Sequence, residues 1–207
     1  MTLQFNQPVA DLWTDFQEAM TAIGIVGLRS VQYDVLNAIA KAHDLVVVCP
    51  SGHGKTTAAL LAAAWTMSKA GGSIASCMVM AVESEREVKR IISSLAVMPS
   101  YDPLKVLPLY PTSDARLFKN RTERLRQEPN IIVTTPDRLL VHLRVGNTSA
   151  SQFGIFIVDD VDVICDKGLF RDLEKIFSLL ENHTCRVLFS STDRPSLKQS
   201  IETFVRK

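Results

Sequence analysis

The 207-residue sequence lacks the features that mark membrane, fibrous and strongly charged proteins. Its longest wholly apolar run, Ala58 to Trp65, is far shorter than the roughly 18 residues that a membrane span needs. With only 9 glycines and 9 prolines, it is neither collagen-like nor of low complexity. Its net charge of +1 produces no global field that would recruit nucleic acid. We therefore expect a globular protein with no membrane partner.

The sequence also lacks the signs of export. The first basic residue is Arg29, and the acidic residues Asp11, Asp15 and Glu18 precede it, whereas secretory and transit peptides need an early positive region. The cysteines are widely spaced and form no CxxC pair, which favours reduced core thiols in an intracellular protein, either cytoplasmic or nuclear. They are Cys49, Cys77, Cys165 and Cys185.

Short apolar runs alternate with amphipathic stretches along the chain. Continuous Val- and Ile-rich runs are typical of strands buried on both faces of a parallel sheet. Strands are predicted at Leu45–Cys49, Cys77–Val82, Val106–Leu109, Ile131–Thr134, Ile155–Val158 and Val187–Ser190. Helices are predicted at Val31–Ala42, Thr56–Lys69, Glu85–Leu95, Ala115–Arg126, Arg138–Val145, Phe170–Leu180 and Leu197–Val205, and Trp13, Phe16 and Met20 indicate another. This order predicts one doubly wound, mostly parallel α/β domain over residues 1–207.

The strongest functional signal follows the first predicted strand and reads Cys49-Pro50-Ser51-Gly52-His53-Gly54-Lys55-Thr56. A glycine-rich turn between a buried strand and a helix is the setting of a P-loop, whose backbone N–H groups surround phosphate. Lys55 would supply a cation to the β- and γ-phosphate oxygens, and Thr56 a hydroxyl to Mg²⁺. The strict pattern has glycine at Cys49, so this is a relaxed form. We expect Ser51 to Thr57 to bind nucleotide, with the His53 side chain pointing to solvent.

A second signal lies at the end of the fifth predicted strand, Ile155–Val158, which runs into Asp159-Asp160-Val161-Asp162. An apolar strand followed by acidic residues is the arrangement that holds Mg²⁺ beside a P-loop. Asp159 would position the metal through water, and Asp160 would orient the attacking water. The alternative is a solvated acidic turn.

Together these motifs resemble the N-terminal RecA-like domain of DEAD-box ATP-dependent RNA helicases, over nearly the whole chain and in the same order. Gln32 stands at the distance of the Q motif, whose glutamine reads adenine, and an amide can both donate to and accept from the adenine edge. Asp159 to Asp162 stands in the place of the DEAD sequence. Thr135-Pro136-Asp137-Arg138 is similar to the TPGR of motif Ib, and Ser190-Ser191-Thr192 to the SAT of motif III.

The resemblance implies a P-loop NTPase that uses ATP and Mg²⁺. It implies that Lys55, Asp159 and Asp160 are the catalytic residues. It further implies RNA contacts near Thr135, Pro136 and Arg138, and coupling of the nucleotide to domain movement through Ser190 and Thr192. The family's helicase core has two RecA-like domains, and the second, which supplies an arginine finger, is expected to lie outside this chain.

The departures from the family pattern predict slower ATP hydrolysis and weaker RNA binding. The second DEAD residue is Asp160, one methylene shorter than the family's Glu, and a displacement of that kind can cost about a hundredfold in rate. The PTREL of motif Ia reads Val82-Glu83-Ser84-Glu85-Arg86, Asp137 replaces a glycine, and Pro111-Thr112 replaces the GG motif. Because phosphate contacts dominate affinity, these changes predict weak RNA binding. Five basic residues could compensate for this weak RNA binding, although the interpretation we favour is that they form a solvated helix face. They are Arg116, Lys119, Arg121, Arg124 and Arg126.

Three functions remain open from the sequence. The leading hypothesis is the first domain of a divergent DEAD-box RNA helicase that binds ATP–Mg²⁺ and hydrolyses it poorly by itself. The second is a pseudo-helicase that serves as a scaffold or regulatory module for protein contacts. The third is a RecQ-like DNA helicase domain, which rests only on Leu28-Arg29 before Gln32.

Overall fold

Six strands alternate with helices in the computed structural model, which describes residues 20–22, 24–69, 77–98 and 101–205. The strands are β1 (Leu45–Val48), β2 (Cys77–Ala81), β3 (Val106–Leu109), β4 (Ile131–Thr134), β5 (Phe153–Val158) and β6 (Cys185–Ser190). The helices are α1 (Ser30–Ala40), α2 (Lys55–Lys69), α3 (Glu85–Leu95), α4 (Ala115–Leu125), α5 (Pro136–Arg144), α6 (Val161–Asp166), α7 (Phe170–Leu179) and α8 (Pro195–Glu202). A short 3₁₀ turn, Ala150–Gln152, precedes β5.

The strands form one parallel sheet in the order β1-β6-β5-β2-β4-β3. Val47 of β1 lies opposite Phe189 of β6, and Ile157 of β5 lies opposite Val187 of the same strand. The carboxyl ends of β1, β6 and β5 therefore meet at one edge of the sheet. This confirms the predicted parallel α/β fold and brings the P-loop, the SST sequence and the acidic sequence together.

Alternate residues of each central strand pack into two separate cores. Met78 and Met80 of β2 face the core built with α2 and α3, whereas Val79 and Ala81 face the core built with α7 and α8. All five residues of β2 are buried, which explains why its sequence is a continuous apolar run. None of the helices in the described ranges is both long and apolar enough to cross a membrane.

The structure adds elements that the apolar pattern does not predict. Helix α6 follows the acidic sequence directly and is only six residues long, so its periodicity is too short to recognise. Trp13 and Phe16 of the predicted N-terminal helix lie outside the described residues, while Met20 is buried against Leu36 and Leu61. The cysteines are free thiols, as predicted. Cys77 is among the buried ones, and burial raises its pKa.

Candidate nucleotide-binding site

The P-loop connects β1 to α2 through two glycines in the left-handed region. Gly52 has φ +80° and Gly54 has φ +91°, which side chains other than glycine rarely adopt. A Cβ atom at Gly54 would also lie 2.8 Å from the Gln32 Nε2 atom. The His53 ring is exposed, as predicted, and its Nδ1 lies 3.1 Å from the Pro50 carbonyl oxygen. Thr57, the third residue of α2, is half-buried.

Lys55 is the first residue of α2, and its side chain is buried, with 6% exposure. Its Nζ donates to the carbonyl oxygens of Cys49 at 2.8 Å and Pro50 at 3.2 Å. It also donates to the hydroxyl of Ser191 at 2.9 Å. The ammonium group of Lys55, which is predicted to bind phosphate, therefore lies against the backbone of the P-loop.

Thr56 and Asp159 form the contact that joins the two predicted motifs. The Thr56 hydroxyl donates to Asp159 Oδ2 at 2.7 Å, although 103 residues separate them in sequence. Asp159 is 5% exposed, and its Oδ1 is buried with no hydrogen-bond partner among the residues that the structure describes. Burial raises the pKa of Asp159 to about 6, against the lowering effect of the Thr56 hydrogen bond. A hydroxyl beside a carboxylate with a spare oxygen fits the oxygen ligands that Mg²⁺ prefers.

Asp160 adopts a left-handed backbone with φ 52° and ψ 58° at the start of α6. A non-glycine residue in this region is uncommon, and it persists where the surrounding structure enforces it. The turn is fixed by amides of Val163 and Ile164, which donate to the Asp160 carbonyl oxygen. The Asp160 carboxylate accepts a hydrogen bond from the Ser191 hydroxyl at 3.2 Å.

Asp162 connects the acidic sequence to the end of β6, a role that the sequence does not assign to it. This buried carboxylate accepts from the Thr192 hydroxyl at 3.1 Å and from the Ser191 amide at 3.3 Å. Ser190 is buried as well, and its hydroxyl donates to the Thr192 carbonyl oxygen at 2.8 Å. The structure thus places Thr192 beside the acidic sequence with Ser190 bonded to it, while their coupling role stays a prediction.

Gln32 lies beside the P-loop and is 3% exposed. Its Oε1 accepts from the Arg29 amide at 2.8 Å and so caps α1. Arg29 reaches further, since its Nη1 donates to the Gly52 carbonyl oxygen at 2.6 Å. The sequence reasoning missed this role of Arg29, because an arginine before a helix gives no sign that it reaches a loop 23 residues away.

The predicted RNA-side residues lie at the ends of β2 and β4. Thr135 is the N-cap residue of α5, and Pro136 lies in the first turn of that helix. The Thr135 hydroxyl is buried and has no hydrogen-bond partner within the described ranges. Arg138 Nε lies 3.8 Å from Asp137 Oδ2. Asp137, which stands where the family has glycine, therefore partly neutralises the charge of Arg138. In the motif Ia position, Glu83 pairs with Lys167 at 3.0 Å.

The proposed solvated basic face on α4 is wrong for its central member. Arg121 is 5% exposed and lies 3.8 Å above the ring of Tyr110. Arg124 donates to the carbonyl oxygens of Pro103 and Val106, and Arg126 donates to Asn147 Oδ1. Arg116 and Lys119 are exposed. Arg121 and Arg124 therefore hold neighbouring segments together, whereas Arg126 bonds to Asn147 but is itself exposed.

Comparison with known proteins agrees with this geometry. The DEAD/DEAH box helicase family matches residues 29–199. The chain is 33% identical over 187 residues to the "Probable DEAD-box ATP-dependent RNA helicase 48" of Arabidopsis thaliana, covering 84% of this chain and 23% of that protein. It is 25% identical to the DEAD-box ATP-dependent RNA helicase CshA of Bacillus subtilis, covering 99% of this chain and 40% of that protein. It therefore spans well under half the length of these curated relatives.

The fold has a counterpart among solved structures. A DEAD box protein from the hyperthermophile Methanococcus jannaschii superposes with a TM-score of 0.78 at 18% identity, over 92% of this chain and 51% of that one. The curated relatives favour the DEAD-box interpretation over a RecQ-like one. From the family match and these relatives, the chain belongs to the DEAD/DEAH box helicase family and is related to its DEAD-box RNA helicases.

Proposed function

We propose that this chain is the first RecA-like domain of a divergent DEAD-box RNA helicase, which binds ATP and Mg²⁺ and hydrolyses ATP poorly without a second domain. The observation that carries the proposal is the contact between Thr56 and Asp159 beside the P-loop. Two oxygen ligands suited to Mg²⁺ meet there, next to a buried ammonium group and a glycine-rich turn. Such a protein would be cytoplasmic or nuclear.

Each residue has a distinct role in this proposal. Lys55 and the amides of Ser51 to Thr57 bind the phosphates, and Gln32 reads the adenine edge. Thr56 and Asp159 hold the cation, and Asp160 orients the attacking water. When bound, Mg²⁺ neutralises charge on the β- and γ-phosphate oxygens. RNA and a second RecA-like domain would meet the sheet edge near Thr135, Pro136, Arg138, Ser190 and Thr192.

The test of nucleotide binding is a titration with a fluorescent ATP analogue, with Mg²⁺ and with excess chelator. We expect weak, Mg²⁺-dependent binding that Lys55→Ala abolishes, because the phosphate loses its buried cation. Lys175→Ala removes an exposed lysine of α7 and is the matched control. Equal affinity of wild type and Lys55→Ala would contradict the phosphate-binding role.

A pseudo-helicase that works through protein contacts is the second candidate. The observation that favours it is the ion pair between Glu83 and Lys167, which places an anion and a neutralised cation where RNA phosphate is expected. The two functions differ in RNA-stimulated ATP hydrolysis, measured on a protein that joins this chain to a second RecA-like domain. Stimulation supports the helicase, and its absence with intact ATP binding supports the pseudo-helicase.

A further inference from the structure

The Ser191 hydroxyl occupies the centre of the candidate site. It lies 2.9 Å from Lys55 Nζ, 3.2 Å from Asp160 Oδ1 and 3.4 Å from the hydroxyl of Ser51. These groups come from the P-loop, from the acidic sequence and from the end of β6. The SAT pattern that this segment resembles has alanine at this position, which carries no hydroxyl. The three contacts therefore depend on a serine that departs from that pattern.

The contacts of Lys55 leave no donor for a phosphate oxygen. An ammonium group has three N–H donors, and here they face the carbonyl oxygens of Cys49 and Pro50 and the Ser191 hydroxyl. The two carbonyl groups belong to the backbone of the loop. Ser191 is the partner that can leave by rotation of a single side-chain bond. A phosphate oxygen that reaches Lys55 must therefore displace a partner, and Ser191 is the one most easily displaced.

The direction of the hydrogen bonds makes Ser191 a bridge between opposite charges. Because Lys55 donates to the Ser191 oxygen, the hydroxyl proton is free to bond to an acceptor, and Asp160 Oδ1 is the charged acceptor within reach. Hydrogen bonds to ionised groups are stronger than those between neutral groups. These two hydrogen bonds thus stabilise the side-chain positions of Lys55 and Asp160 described above.

We propose that Ser191 is a positioning residue that restrains Lys55 and Asp160 through these hydrogen bonds and so weakens the binding of nucleoside triphosphate. The inference rests on the proposed function, because it assumes that Lys55 binds phosphate. It goes beyond that function by assigning part of the expected low affinity to one hydroxyl of this chain.

The test compares the affinity for the fluorescent ATP analogue of wild type, Ser191→Ala and Ser191→Thr. We expect Ser191→Ala to bind about three- to tenfold more tightly, since one hydrogen bond to a charged group no longer competes with phosphate. Ser191→Thr keeps the hydroxyl and should bind as wild type does. Adenosine, which carries no phosphate, should bind all three proteins equally. Ser178→Ala, on the exposed face of α7, is the control for loss of a serine hydroxyl.

The outcomes separate this inference from the proposed function. If wild type binds ATP and Lys55→Ala does not, the proposed function stands. In that case, unchanged or weaker binding by Ser191→Ala would overturn the role of Ser191 alone. If neither wild type nor Ser191→Ala binds ATP, both proposals fail together. Should Ser191→Ala fail to fold, Ser191→Cys replaces it, because the thiol keeps the side chain's shape and forms weaker hydrogen bonds.

Discussion

At the scale of single residues, Gln32 has two tasks in the proposed function. Its carbonyl oxygen already accepts the Arg29 amide, so reading adenine requires its amide group to rearrange. We expect Gln32→Ala to reduce the preference for ATP over GTP, because a glutamine amide matches the donor and acceptor of adenine. Competition of ATP and GTP against the fluorescent analogue measures this preference. Gln152→Ala, distant from the P-loop, is the control. Equal preference for ATP over GTP in Gln32→Ala and wild type would show that Gln32 does not recognise adenine.

Asp160 combines a short side chain with a left-handed backbone. In the isolated chain, we expect Asp160→Glu to leave the very low hydrolysis rate nearly unchanged. The arginine finger of the second domain is absent there, and such a finger is worth roughly a thousandfold or more in related enzymes.

In a protein that includes the second domain, the same Asp160→Glu substitution should raise the RNA-stimulated rate, because the longer side chain reaches the attacking water. Steady-state phosphate release measures both cases. A two-domain protein that slows on Asp160→Glu would show that the turn at the start of α6 already places the shorter carboxylate correctly.

At the scale of elements, the end of α5 depends on a neutral histidine. Arg126 donates to Asn147 Oδ1, and Asn147 Nδ2 lies 3.1 Å from His142 Nδ1, which must accept in this arrangement. His142 is 3% exposed and stacks on Phe118. Burial, together with the positive charge of Arg138, lowers the pKa of His142.

This lowered pKa predicts a loss of stability in acid. As the pH falls below about 6.5, the unfolded chain binds a proton at His142 that the folded chain resists, so the free energy of unfolding decreases. Denaturant unfolding between pH 7.5 and pH 5 measures the effect. His142→Gln keeps an acceptor without titrating, so wild type should lose stability relative to His142→Gln as the pH falls, while the opposite effect of the raised pKa of Asp159 is common to both proteins. His183→Gln, at an exposed histidine, should not show this difference from wild type.

The elements themselves could largely be predicted from the sequence, because buried parallel strands are continuous apolar runs. The six predicted strands and seven predicted helices are present, with ends that differ by a few residues. Contacts between distant side chains could not be predicted. The bond between Lys55 and Ser191 spans 136 residues, and it depends on β6 lying next to β1, an order that no local pattern encodes. The Asp160 backbone likewise has no signal in residue type, since aspartate occurs in ordinary turns.

At the scale of the whole molecule, we expect the anionic motif Ia to weaken the contact of the domain with RNA. Glu83 holds Lys167 in an ion pair, and its Oε2 is buried with no hydrogen-bond partner in the described part of the chain. We expect Glu83→Thr, which restores the family's residue, to raise RNA affinity several-fold. The slope of log affinity against log salt should steepen by about one, because Lys167 becomes available to a phosphate.

Fluorescence anisotropy with a single-stranded RNA at several salt concentrations measures both effects of Glu83→Thr. Glu174→Thr removes an exposed anion from α7 and makes the same change in net charge. A similar gain in both variants would show that only the overall charge matters. In that case, the Glu83–Lys167 pair has no specific influence on RNA.

The place of β6 in the sheet also determines when the site can form during synthesis. Within the described residues, β1 pairs with β6, which is the last strand to leave the ribosome and is inserted between β1 and β5. Until Cys185–Ser190 emerges, the strand that leads into the P-loop has no neighbour in the sheet. Pairings between such distant segments form slowly and leave strand edges exposed in the meantime. The nascent chain therefore carries the complete P-loop sequence long before the strand that leads into it gains its neighbour in the sheet.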